Sequence, residues 1–199
     1  MKKKFDQVYQ FKITLEGIRP PIWRRIQVPE TYTFWDLHVA IQDAMGWLDY
    51  HLHEFEIRNP ANGLNVTIGL QDDDFPKRNL LDWAQKIANY FFPENPSADY
   101  TYDFGDYWHH KIQLDKILPR EKNVSYPVCI KGKRTCPPED CGGIGGYERL
   151  LDIIKDPEHE EHKETLEWLG EEFDPEHFDP KEVNFDDPAA RLKMALEPA

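Results

Sequence analysis

Val8-Tyr9-Gln10-Phe11-Lys12-Ile13-Thr14-Leu15-Glu16 alternates without a break, so Tyr9, Phe11, Ile13 and Leu15 share one face while Gln10, Lys12, Thr14 and Glu16 share the other. Successive side chains of an extended chain point to opposite sides, and a period of two therefore marks a half-buried strand. Gly17 to Pro21 supply a turn, after which Ile22, Arg24, Ile26 and Val28 alternate with Trp23, Arg25 and Gln27 as far as Pro29. Proline has no N–H to donate to a sheet, so the second run stops there and the two runs predict a hairpin.

Downstream the period changes. Thr33 followed by Asp36 forms a cap-like start, and Phe34, Leu37, Ile41, Ala44 and Met45 recur at helical spacing up to Gly46, which predicts an amphipathic helix over 34–45. Residues 51–58 return to period two, and Asn62-Gly63 is a reversal signal before Val66 to Ile68, so a second hairpin is expected. Leu80, Leu81, Ala84, Ile87 and Ala88 predict a helix over 80–91, stopped before Pro93. Tyr100, Tyr102 and Phe104 alternate, as do Trp108, His110, Ile112 and Leu114, with Gly105-Asp106 between them. This is the third hairpin, and Gly105 is expected to supply its positive φ while Asp103 or Asp106 binds turn amides.

Cys129 to Gly146 holds Pro137-Pro138 and two Gly-Gly pairs and reads as a loop; helices are expected at about 146–155 and 158–169. Asp174-Pro175 and Asp187-Pro188 each put a capping residue before a proline and start short helical turns. The chain of 199 residues is thus expected to form a single domain over 1–199, with a sheet-and-helix core at 8–118, a Pro/Gly/Cys loop region at 119–146 and an acidic helical segment at 147–199. The fold class is α+β: hairpins in one antiparallel-rich mixed sheet, helix 34–45 on one face, helix 80–91 available for the other, and a β-grasp-like strand order.

No apolar run is long enough to span a membrane, and Met1-Lys2-Lys3-Lys4 leads into Phe5-Asp6-Gln7 rather than an apolar stretch. Three cysteines form no paired framework, which points to a reducing compartment and a cytoplasmic protein. The net charge of −13 is uneven: residues 1–134 hold 18 basic and 18 acidic side chains, whereas 135–199 hold 6 and 19. A global basic footprint for nucleic acid is absent, and only local groups such as Arg19, Arg24 and Arg25, or Lys131, Lys133 and Arg134, could meet phosphate.

A series of ordered motifs carries a resemblance. Trp23-Arg24-Arg25, Leu37-His38, Ile41-Gln42-Asp43-Ala44-Met45-Gly46-Trp47 and His51-Leu52-His53-Glu54-Phe55 are followed by Tyr102-Asp103-Phe104-Gly105-Asp106, Trp108 and His110. Then come Gly132-Lys133-Arg134, Cys136-Pro137-Pro138-Glu139-Asp140, Gly142-Gly143, Gly146-Tyr147, Asp156-Pro157, Trp168-Leu169-Gly170 and Phe173-Asp174-Pro175. Over roughly 8–185 the chain resembles the plasmid open-reading-frame-three-like (Ri-plasmid) family, related to insertion-element passenger proteins sometimes termed resolvase-like. The resemblance implies fold unity and a mobile-element association, and no mechanism. A departure from the family pattern is expected at 79–92, where a helical stretch containing Trp83 replaces a short strand-like segment.

His51 and His53 stand two apart on a predicted strand, so their imidazoles would project from one face about 6.5–7 Å apart, a spacing that suits a chelated divalent metal such as zinc. Asp103, Asp106, His109 or His110 could complete the set, with His51, His53, Asp103 and His110 as the candidate ligands. The plainer reading is two polar residues on a solvated or hydrogen-bonded face. Cys129, Cys136 and Cys141 lack paired CxxC spacing, and a Cys136 nucleophile activated by Lys133-Arg134 has no base or oxyanion donor beside it in the sequence. The glycines from Gly142 to Gly146 could cradle an anion at a helix start, but Glu139 and Asp140 fit better as groups satisfying that start or Arg134.

Two functions follow as expectations. The first is a non-enzymatic binding or accessory protein, with a candidate groove built from Trp23, Arg24, Arg25, His51, His53, Asp103, Asp106, Trp108, His110, Arg134, Cys136, Glu139 and Asp140 and a protein partner preferred over nucleic acid. The second is a small metal-dependent hydrolase or nuclease-like enzyme in which a His/Asp cluster activates water.

Overall fold

The alternating apolar faces pair into one eight-stranded sheet. The computed structural model describes residues 4–70, 80–170 and 173–197. In chain order its elements are β1 (Gln7–Leu15), β2 (Ile22–Pro29), α1 (Phe34–Met45), β3 (His53–Arg58), β4 (Asn65–Gly69), β5 (Leu80–Leu81), β6 (Ser97–Tyr102), β7 (Trp108–Pro119), β8 (Val128–Lys133), α2 (Gly143–Lys155), α3 (His162–Leu169) and α4 (Pro188–Leu196). The strand order is β5-β4-β3-β6-β7-β1-β2-β8, and every pairing is antiparallel except the short β4–β5 contact. The fold is α+β. It is not a β-grasp order: β1 is interior, flanked by β2 and β7, both antiparallel to it.

The three expected hairpins are all present, as β1–β2, β3–β4 and β6–β7. In β1, Phe11, Ile13 and Leu15 are buried, and in β2 so are Ile22, Arg24, Ile26 and Val28. Helix α1 covers this face. Thr33 and Asp36 form a reciprocal capping box, and Gly46 closes the helix at φ 93°, a left-handed conformation glycine adopts without a Cβ clash.

Two elements differ from the sequence expectation. Residues 80–91 are not a helix: Leu80–Leu81 is a short strand, followed by 3-10 turns at Asp82–Ala84 and Ile87–Asn89. Gln85 and Lys86 are extended because they pair with the start of α1, Phe34 N donating to Gln85 O at 2.9 Å and Ile87 N to Tyr32 O at 3.0 Å. The segment lies on the α1 face, with the Phe91 ring 4.8 Å from Phe11 and 5.9 Å from Phe34, so it does not cover the opposite one. Within the expected departure at 79–92 the chain is thus a two-residue strand and 3-10 turns rather than a helix, with Asn79 outside the described residues. The second difference is β8, an edge strand where a loop was expected, held by its ladder to β2.

Helix α2 starts against two hairpin turns. Gly142 N donates to Asp106 Oδ2 at 3.1 Å, and Ile144 abuts Gly17 so closely that a Cβ there would lie 2.3 Å from its Cδ1. The C-terminal residues return across the molecule. Thr135 Oγ1 donates to the Asp174 and His177 carbonyls, Trp35 Nε1 donates to Pro188 O at 2.8 Å, and Phe173, Phe178, Val183 and Phe185 rest on the core. Among the described residues no helix is long and apolar enough to cross a membrane.

Candidate functional site

Three connecting segments meet at one end of the sheet: the stretch 46–52 between α1 and β3, the β6–β7 turn at 103–107, and the stretch 134–142 before α2. Glu139 ties the first to the third, accepting from Leu48 N at 2.8 Å and from the Tyr102 hydroxyl at 3.1 Å, while Trp47 Nε1 donates to Pro137 O at 2.9 Å. Burial raises the Glu139 carboxyl above its ordinary value. Tyr102 also accepts from Tyr50 N at 3.0 Å, so its hydroxyl anchors both sides.

Asp103 organises the turn between them. Its Oδ1 accepts from Gly105 N at 2.8 Å and Asp106 N at 3.3 Å, and its backbone N–H donates to Leu52 O at 2.9 Å. The positive φ expected at Gly105 instead falls on Asp103 (56°) and Tyr107 (58°), and Asp140 is left-handed too (56°). Aspartate tolerates this conformation better than most residues because its short carboxylate bonds nearby amides. His51 sits between the two aspartates: Nε2 lies 2.9 Å from Asp140 Oδ1 and 3.6 Å from Asp103 Oδ2.

His53 is elsewhere. It is buried in β3, its Nε2 2.9 Å from Asp82 Oδ2, and its ring stacks on His38 with centroids 3.5 Å apart and planes 8° from parallel. His38 Nε2 lies 2.8 Å from Asp49 Oδ1 and its Nδ1 2.9 Å from the Tyr100 hydroxyl, which accepts from Gln42 Nε2. Burial and the neighbouring His53 push the His38 pKa down to about 4, so the ring is neutral, donating from Nε2 and accepting at Nδ1. Burial raises Asp49, but hydrogen bonds from His38 and Arg191 outweigh it and hold the carboxyl at about 2.

The HxH pair is thus divided. His51 belongs to the open end of the sheet and His53 to a sealed network, because the strand begins only at His53. His110 joins neither: it is fully buried between Trp47 and Tyr100, at ring distances of 5.3 and 5.4 Å, and burial lowers its pKa to about 3. Trp108 is buried beside Trp47, and Trp23 is half-buried under Lys12 and Arg25. Asp106 accepts from Gly142 N just ahead of α2, whereas Glu139 and Asp140, expected at that helix start or on Arg134, do neither, Arg134 pairing with Glu176.

Of the cationic candidates Arg24, Arg25 and Arg134 are structural, whereas Arg19, Lys131 and Lys133 are exposed. Arg24 is buried, donating from Nε to Ala44 O at 2.7 Å and from Nη1 to Lys133 O at 3.0 Å, with Phe178 3.8 Å from its guanidinium. Arg25 pairs with Asp115 at 2.7 Å, and buried Arg134 pairs with Glu176 and donates to Pro20 O. No contiguous patch of Arg24, Arg25 and Arg134 faces solvent. Cys136 is sealed, and burial pushes its thiol up despite nearby Arg24, the reverse of what a thiolate nucleophile needs.

A groove of about 860 Å³ runs beside this end, between residues 43–50 and the returning C-terminal segment. Sequence reading did not find it, since its walls come from residues more than a hundred positions apart. Exposed Leu48, Tyr50 and Met194 lie along it, with Asp43, Asp49, Asp179, Glu182 and Asp186. Arg191 bridges its floor, reaching Asp43 at 3.3 Å, Asp49 at 2.8 Å and Asp186 at 2.8 Å.

Residues 7–182 match the family described as plasmid pRiA4b ORF-3-like protein. The chain belongs to that family. An uncharacterized protein, y4hQ, of Sinorhizobium fredii (strain NBRC 101917 / NGR234) is 37% identical over 164 residues, covering 82% of this chain and 81% of that protein. A crystal structure of a protein of unknown function, MM3350 from Methanosarcina mazei Go1, is similar at a TM-score of 0.86 and 54% identity, covering 92% of this chain and all of that one. As a plasmid pRiA4b ORF-3-like protein, the chain shares its fold with MM3350.

Proposed function

We propose that this protein is a non-enzymatic accessory domain that binds a protein partner in the groove between residues 43–50 and the C-terminal segment. The observation that carries the reading is the combination of exposed Leu48, Tyr50 and Met194 with five carboxylates along one groove. Apolar side chains set among an excess of carboxylates select an apolar segment flanked by lysine or arginine. Two arginines line the groove, but Arg24 is buried in backbone hydrogen bonds and Arg191 is matched to three of the carboxylates.

The same features favour protein over nucleic acid: Arg24, Arg25 and Arg134 are buried or ion-paired, which leaves only Arg19, Lys131 and Lys133 of the named cations exposed, and the acidic C-terminal third opposes a polyanion. A cytoplasmic setting is supported by three free cysteines, and a mobile-element setting by the plasmid reading frame after which the family is described. Fluorescence anisotropy with apolar peptides flanked by lysine, by glutamate or by serine tests the proposal. Preference for the lysine-flanked peptide, lost in Tyr50→Ser and Leu48→Ser proteins with unchanged circular dichroism, is expected. Equal affinity for all three peptides, or salt-sensitive binding of oligonucleotides instead, overturns it.

A further inference from the structure

We infer that His51, Asp103 and Asp140 form a binding site for one divalent transition-metal ion, zinc or manganese in type, at the end of the sheet. The three residues each offer one ligand atom, and these atoms all lie within 4.8 Å of one another. Ligands bound at about 2.1 Å to a tetrahedral ion stand about 3.4 Å apart. The separations of 2.9 Å from His51 Nε2 to Asp140 Oδ1 and 3.6 Å to Asp103 Oδ2 bracket that value.

A second observation points to an ion rather than to a simple ion pair. His51 Nε2 is shielded from solvent and makes no hydrogen bond, although Asp140 Oδ1 lies 2.9 Å away. A buried polar atom left without a partner is disfavoured, and a cation shared by Nε2 and the two carboxylates would give it one. Asp103 is prepared for this use. Its side chain is 8% exposed, Oδ1 is fixed by the turn amides, and Oδ2 is left to face His51.

The donor set defines the ion. One imidazole with two carboxylates suits zinc or manganese, whereas magnesium and calcium prefer all-oxygen shells. Asp140 is 66% exposed, so solvent has access to the remaining coordination positions. The neighbouring buried group of His38, Asp49 and His53 is a poorer host. Both nitrogens of His38 are engaged, and the stacked rings direct their lone pairs along parallel planes rather than to a common point.

The ion would join the stretch 46–52, the β6–β7 turn and the stretch before α2, so its binding is read by stability as well as by affinity. This inference stands apart from the partner groove: it concerns metal and uses no peptide. The test is isothermal titration of the full chain, stripped with chelator, with zinc, manganese and magnesium chlorides, alongside thermal melts. Expected are one zinc or manganese bound per chain, a raised Tm at saturation reversed by chelator, and affinity at least about tenfold weaker in His51→Gln and Asp140→Asn proteins. Asp140 is exposed and His51 lies outside the strands, so both variants should melt like the parent without metal; Asp103→Asn serves only if it does too. No binding up to millimolar metal, or binding unchanged in both His51→Gln and Asp140→Asn, overturns the inference, the latter by placing the metal on other histidines or thiols.

Discussion

His38 and His110 are kept neutral inside the molecule, and that makes the fold sensitive to acid. Their folded-state pKa values, about 4 and about 3, lie below the ordinary 6.5, so between those values the unfolded chain binds more protons than the folded one. Stability therefore falls as pH drops from about 6.5 toward 4. Asp43 works in the opposite sense: burial raises it to about 6, so its contribution is lost as pH rises from about 4 to 6. Two histidines against one aspartate leave a net loss on acidification, on the order of 2 kcal/mol between pH 6.5 and 4.5. Urea unfolding at pH 7.5, 6.0 and 4.5 checks this, and His110→Gln should flatten the profile; a midpoint independent of pH would contradict the assignment. Much of this was readable in the sequence at the level of phase. Arg24 is in phase with Ile22, Ile26 and Val28 of its strand, and His38 falls one turn after Phe34 and three residues before Ile41, so both belong on core faces. Their partners were not readable. Asp49, Tyr100 and the Ala44 carbonyl meet them only once the strands and α1 are in place.

Among the elements, those with local punctuation were legible, and those made by distant partners were not. Thr33, Asp36 and Gly46 mark both ends of α1 within the helix's own sequence. The apolar spacing of Leu80 to Ala88 mimics a helix, but hydrogen bonds to Tyr32 and Phe34 hold Gln85 and Lys86 extended. Likewise β8 exists because β2 is there to pair with it, and its glycine has a purpose seen only in three dimensions. A Cβ on Gly132 would stand 2.3 Å from the Phe178 ring, which is sandwiched between this strand and the Arg24 guanidinium. Gly132→Val should thus displace the ring and loosen the C-terminal segment, destabilising the fold by about 1–3 kcal/mol. Faster proteolytic cleavage between residues 173 and 187, with a lowered Tm, is the expected readout. A variant as resistant as the parent would show that the segment is held without Phe178, by contacts such as those of Thr135, Arg134, Arg191 and Trp35.

Across the whole molecule, the returning C-terminal segment covers apolar surface rather than trailing in solvent. Phe173, Phe178, Val183 and Phe185 lie against the core, and Arg191 is matched to three carboxylates, two of them on or beside α1. A chain ending at Lys155 is expected to bind a hydrophobic dye and to melt below the parent; a stable, dye-silent fragment would contradict this. The order of synthesis gives this closure another meaning. Asp43 and Arg191 are 148 positions apart, and β1 pairs along its length with β7, far downstream. Such separations mean a high contact order and slow folding, because loop entropy is lost before the distant contacts form. A nascent chain on the ribosome completes its central sheet only after β7 has emerged, and it keeps the groove wall unfinished until Arg191 follows. During that interval the apolar seat of Phe178 and Phe185 is bare, which makes the half-made protein, more than the finished one, a client for chaperones.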